Sequence, residues 1–152
     1  MVDSRAKGQR AEYKVRDMFR EVTKLEWERV PGSGGFGKQH KLKGDIYIPD
    51  KDTIHCIEVK SYSDDVINSN LLNSSISQLE KFWAQTEREA KEVGKEPILI
   101  FKKDRGKWLL ATKDYEVTDM YSYTLAFFSA TSVPIYICLL EDWLSTNRKY
   151  IR

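Results

Sequence analysis

Glu58-Val-Lys60 ends a β-branched run that begins at Ile54, and Gly44-Asp45 opens a second apolar run, Ile46 to Ile48, a short way upstream. In a strand, residues i and i+2 project from the same face. A strand through this region therefore sets the Glu58 carboxylate beside the Lys60 ammonium. Pairing with the strand that starts at Asp45 brings a second carboxylate within reach of both. Two carboxylates and a lysine on one sheet face suit a hard divalent cation and the activation of a water molecule. A strand-end salt bridge between Glu58 and Lys60 is the plain alternative.

Net charge does not name a partner: it is +2, with a pI near 8.4. The distribution of charge says more. From Gly34 to Gly44 the chain carries Lys38, His40, Lys41 and Lys43 and no acid, directly before Asp45. Cations massed beside a carboxylate pair fit a phosphodiester substrate, although a solvated lysine loop has the same composition. Taken with the carboxylates, the pattern implies a metal-dependent nuclease site.

The elements needed to position these groups are readable. Ala11, Val15, Met18, Phe19 and Val22 recur at helical spacing, so Ser4 to Val22 is expected to be a helix with an apolar stripe. Trp27 to Val30 is a short strand candidate, and the glycine-dense segment from Pro31 to Gly44 a long loop. Asp45 to Ile48 and Ile54 to Ser61 make a hairpin around a turn at Pro49 to Asp52. Ile76, Leu79, Phe82 and Trp83 mark a helix that runs to Val93 and stops at Gly94. It crosses over to a buried strand, Pro97 to Lys102, which turns at Asp104-Arg-Gly into another, Lys107 to Thr112. A last strand, Ile135 to Leu140, and a terminal helix, Glu141 to Lys149, complete the pattern. This order describes an α/β fold, a central mixed β-sheet flanked by helices.

At 152 residues and 41% hydrophobic composition, the chain can build one real core, so residues 1–152 are read as a single domain. Its recognisable part is about 5–112, with a divergent C-terminal extension at 113–152. Cys56 and Cys138 supply neither a disulfide framework nor a zinc site, so a reducing cytoplasm is the default. The N-terminus, charged from Asp3 onward, does not read as a signal peptide. Met120 to Leu140 is uncharged and long enough to span a bilayer, but its serines, threonines, tyrosines and Pro134 favour a buried or interface-forming segment. No membrane association is expected.

Gly8-x-x-x-Glu12 on a helix, Arg29-x-x-x-Ser33-Gly34 after a strand, Asp45-Ile, Glu58-Val-Lys60-Ser61 and Gln78 on the next helix resemble the archaeal-type Holliday junction resolvases of the PD-(D/E)xK nuclease superfamily. The likeness runs from Arg5 to Lys102. Any one piece is weak alone; the ordered set is fairly specific. The resemblance implies a restriction-endonuclease-like fold and Mg²⁺ as cofactor, with Mn²⁺ able to substitute. Asp45, Glu58 and the Val59 carbonyl become metal ligands, and Glu12 coordinates or positions a metal. Ser33 and Gly34 bind a phosphate near the scissile bond, Arg29 adds a phosphate contact, and Gln78 approaches the lysine or the water. Lys60 lowers the water's pKa, holds it for attack, or neutralises charge on phosphorus. Arg5, Lys7, Arg10, Lys38, Lys41 and Lys43 join the DNA-binding set. Gly44 stands where the superfamily's name puts proline, a position that varies and carries no chemistry.

The leading expectation is a junction-resolving endonuclease that acts on branched DNA as a homodimer, cutting two opposed strands to leave 5′-phosphates. Two sites at a fixed separation follow from a twofold axis, and the stretch Tyr121 to Leu140 offers an apolar interface. It would work in the cytoplasm, that of the host if the source is viral. The alternatives are a restriction-like or repair nuclease acting on duplex, flap or nicked DNA, and a non-catalytic DNA-binding protein on the same fold.

Overall fold

Helix α1, Ser4–Thr23, lays Ala11, Val15 and Phe19 against the sheet at intervals of four residues, and all three are buried. Val22, expected in the same stripe, is exposed in the last turn of the helix. The computed structural model describes residues 4–31, 42–63, 77–114, 121–126 and 134–152. Thr23 ends α1: its hydroxyl donates to the Phe19 carbonyl and accepts from the Leu25 N–H and the Trp27 indole. Lys24 then takes a left-handed turn at φ +59°. Trp27 packs edge-on to Phe19, ring centroids 4.9 Å apart. Truncating Phe19 to alanine there costs about 3–5 kcal/mol.

The strands are β1 (Glu28–Arg29), β2 (Ile46–Tyr47), β3 (His55–Tyr62), β4 (Glu96–Lys103), β5 (Leu109–Thr112), β6 (Tyr123–Ala126) and β7 (Ile135–Leu139). Among the described residues they form one sheet in the order β1-β2-β3-β4-β5-β7-β6. β3 and β4 are parallel, with Glu58 opposite Leu99 and Lys60 opposite Phe101. The neighbouring pairs are antiparallel, including β2 on β3 at Ile46 opposite Ile57. The mixed α/β sheet inferred from the sequence is thus the observed one.

The crossover between β3 and β4 includes α2, Gln78–Glu92. Its start is capped by Ser77, whose hydroxyl accepts the Glu80 N–H at 3.2 Å, a cap of about 1 kcal/mol. Ile76, where the apolar pattern begins, lies outside the described residues. Gly94 ends the helix at φ +67°. α1 covers one face of the sheet, on Ile57, Val59, Ile98 and Ile100. α2 covers the other, with Leu79 and Trp83 on Leu99 and Phe101.

Two features of the C-terminal part differ from expectation. β6 was not anticipated, because it lies at the sheet edge with Tyr123 and Leu125 exposed and so shows no alternation of buried and exposed residues. The last helix, α3, is Leu140–Thr146 and not Glu141–Lys149. Beyond it the chain turns back, burying Tyr150 among Phe19, Trp27 and Trp143. Ile151 bridges to Thr53, and the Arg152 N–H donates to the Asp52 carbonyl at 2.8 Å. The described part of Met120 to Leu140 holds β6 and β7. No helix among the described residues is long and apolar enough to cross a membrane. Cys56 and Cys138 are buried free thiols.

Candidate active site

Gly44 determines where Asp45 goes. Its φ is +88°, and a Cβ there would lie 2.8 Å from the Ile57 carbonyl oxygen and 3.2 Å from Cys56 Sγ. Glycine is the residue that fits both the dihedral and the gap. The position therefore has a structural demand of its own, which the sequence pattern did not reveal. With the backbones this close, the Asp45 N–H donates to the Ile57 carbonyl at 2.7 Å and the Val30 N–H donates to Asp45 at 2.9 Å.

The Asp45 carboxylate replaces the next rung of the ladder, accepting the Val59 N–H at 2.7 Å. The N–H and C=O of one strand residue point to the same side, so the Val59 carbonyl also faces Asp45. Glu58 and Lys60 flank Val59 on the α2 side of the sheet, with Lys60 Nζ 3.8 Å from Glu58 Oε2 and 5.7 Å from the centre of the Phe82 ring. Glu58 is buried, 4% exposed. Asp45, Glu58 and Lys60 thus meet around one backbone unit, as their spacing implied.

These carboxyl groups are crowded. Burial, then the charge of Glu12, pushes the Asp45 carboxyl up to about 7, against the Val59 hydrogen bond and the Lys60 charge, which favour its charged form. Glu58 is raised further, by burial first, then by Asp45 and by Glu89 of α2. Glu89 was not anticipated from the sequence; one of its oxygens, Oε2, is buried with no hydrogen-bond partner among the described residues. Its signal was available only in part, as one acid among several on an amphipathic helix.

Glu12 reaches Asp45 from α1, and its other engagement is Arg29, whose Nε lies 2.8 Å from Glu12 Oε2. Arg29 also stacks over the Tyr13 ring at 4.7 Å. Its guanidinium is thus engaged by both Glu12 and Tyr13. Lys43 is paired with Glu92 of α2 at 3.4 Å, and Lys7 with Asp104 at 2.6 Å. Arg5 and Arg10 are exposed on α1. Gln78 is exposed at the first residue of α2. Ser33, Gly34, Lys38 and Lys41 lie outside the described residues.

Among the described residues no three His, Cys, Asp or Glu side chains close into a ready-made metal cage. The donor set still fits a hard cation that keeps several waters: one buried and one half-buried carboxyl, mutually repelling, with a carbonyl between them. A divalent cation there removes the repulsion that raises both carboxyls.

The chain is 52% identical over 148 residues to Protein D14 of Escherichia phage T5, covering 94% of this chain and 92% of that protein. Hjc of Archaeoglobus fulgidus, a Holliday junction resolvase, aligns at a TM-score of 0.46 and 19% identity, over 90% of this chain and 87% of that one. Residues 3–152, the C-terminal strands included, match the family described as phage putative PDDEXK endonuclease. The chain belongs to that family of PD-(D/E)xK endonucleases.

Proposed function

We propose that this protein is a structure-selective DNA endonuclease that resolves four-way junctions as a homodimer, with Mg²⁺ as its cofactor and Mn²⁺ able to replace it. The observation that carries the catalytic part is the meeting of Asp45, Glu58 and Lys60 around Val59. Asp45, Glu58 and the Val59 carbonyl hold the cation, which when bound supplies Lewis acidity at the phosphate and a water of lowered pKa.

The chain's own residues do the rest. Lys60, its ammonium near Glu58 and braced over Phe82, places a positive charge where the phosphorus gains negative charge. Glu12 acts through Asp45, and Arg29 holds Glu12 in place. α2 keeps bulk water from Glu58. Support for a junction substrate is the ordered set of helix, strand and loop motifs shared with the resolvases. Support for a dimer is the edge strand β6, whose exposed Tyr123 and Leu125 form an apolar surface. The phage T5 relative supports placement in the cytoplasm of an infected host.

Labelled four-way junction, flap, nicked and linear duplex DNA, each cut under the same conditions and mapped on every arm, test the substrate. Symmetric paired cuts confined to the junction support resolution. Equal cutting of duplex, flap or nicked DNA contradicts it and favours a restriction-like or repair nuclease.

A further inference from the structure

A cleft of about 380 Å³ opens between the N-terminal half of α1 and the C-terminal ends of the parallel strands β3 and β4. The ends of parallel strands are where α/β sheets accept ligands. Lys7, Arg10 and Lys14 line it from α1, spaced by three and four residues and so on one helix face. Ser61 and Lys102, opposite one another across the β3–β4 ladder, line it from the sheet. Trp108 forms a wall, with Lys102 Nζ 5.5 Å from the centre of its ring.

Four cations share this space with one carboxylate, Asp104, which is engaged by Lys7. Arg10, Lys14 and Lys102 form no ion pair among the described residues. Like charges held this close repel, and an anion seated among them relieves the repulsion. Helix α1 joins the cleft to the active site: it turns Arg10 and Lys14 toward the cleft on one of its faces and Glu12 toward Asp45 on another.

We infer that this cleft seats a backbone phosphate of the DNA strand engaged at the active site. Arg10, Lys14 and Lys102 hold the phosphate, the Ser61 hydroxyl donates a hydrogen bond to it, and Trp108 keeps Lys102 in position. The inference rests on the nuclease reading and adds to it a second point, across α1 from Glu12, at which the DNA backbone is held. The contact positions the backbone and reads no sequence.

The test is anisotropy of a fluorescein-labelled four-way junction in EDTA, titrated with the full-length protein over a range of NaCl concentrations. Arg10→Gln/Lys14→Gln and, separately, Lys102→Gln are expected to bind roughly fivefold to tenfold more weakly, with the plot of log affinity against log salt shallower by about one unit. Lys102→Arg restores the wild-type slope. Lys51→Gln, on the exposed β2–β3 turn, leaves slope and affinity unchanged. Thermal melting confirms that each variant folds; if Lys102→Gln does not, the α1 pair decides the matter. Unchanged slope and affinity in that pair overturn the cleft assignment, even if the wild-type enzyme cuts DNA normally. A wild-type protein that binds the labelled junction with the expected slope, lost in the α1 pair, but cuts nothing with Mg²⁺ overturns the nuclease reading and leaves the phosphate site standing.

Discussion

Glu12 and Arg29 meet at 2.8 Å between α1 and β1, each about one-fifth exposed, and the Glu12 carboxylate also bears on Asp45. Arg29 thereby offsets a charge that otherwise falls on Asp45. Arg29→Gln is expected to raise the Asp45 pKa further and shift the acid limb of the cleavage profile upward by up to about one pH unit. The double variant Arg29→Gln/Glu12→Gln should cut no more slowly than Glu12→Gln alone. Additive losses in that cycle would show that the two residues act independently.

The crowded carboxyls make the metal-free protein sensitive to pH. Asp45 has a folded-state pKa raised from the ordinary carboxylate range to about 7. The folded state therefore binds more protons than the unfolded one between those limits. The associated stability is present below the unfolded pKa and lost as pH rises to about 7. In EDTA, Asp45→Asn should gain on the wild type by roughly 1–3 kcal/mol between pH 5 and pH 8. Calorimetric melting of both proteins at the two pH values reads this, and parallel curves would contradict it.

Gly44 is expected to tolerate no side chain. Gly44→Ala must fit a Cβ 2.8 Å from the Ile57 oxygen at φ +88°, a strain of about 1–3 kcal/mol. Urea unfolding should show that loss. Because the strain moves Asp45, cleavage should also fall at a temperature where the variant is fully folded. Wild-type cleavage by folded Gly44→Ala would separate the glycine from the site.

Glu89 adds negative potential behind Glu58. Glu89→Gln should raise the Mg²⁺ concentration for half-maximal cleavage about threefold to tenfold, with the rate at saturating Mg²⁺ little changed. A fall in the saturating rate with unchanged Mg²⁺ dependence would place Glu89 in the chemistry instead.

The parts legible in the sequence were those written in short-range patterns. The i, i+2 spacing of Glu58 and Lys60, the helical stripe through Ala11, Val15 and Phe19, and the glycine stop at Gly94 each follow from local geometry. The partners chosen across the fold were not legible. Arg29 turned inward to Glu12, Lys43 found Glu92, and Glu89 came to rest behind Glu58, because packing α1 and α2 on opposite faces of the sheet decides those contacts. β6 escaped notice for a related reason: its place is fixed by β7 alone, with little burial to pattern its residues. Gly44 looked neutral because the Ile57 backbone that crowds it is visible only once the two strands are brought together.

The most direct measurement is cleavage of a 5′-labelled four-way junction by wild-type protein and by Asp45→Asn, with Mg²⁺ and with EDTA, alongside binding of the same junction. The wild type should cut only with Mg²⁺ and leave 5′-phosphate ends. Asp45→Asn should bind comparably and cut more slowly by roughly two orders of magnitude or more. Cutting that survives EDTA, or cutting by Asp45→Asn at the wild-type rate, would mean that the carboxylates around Val59 are not where the phosphodiester is broken.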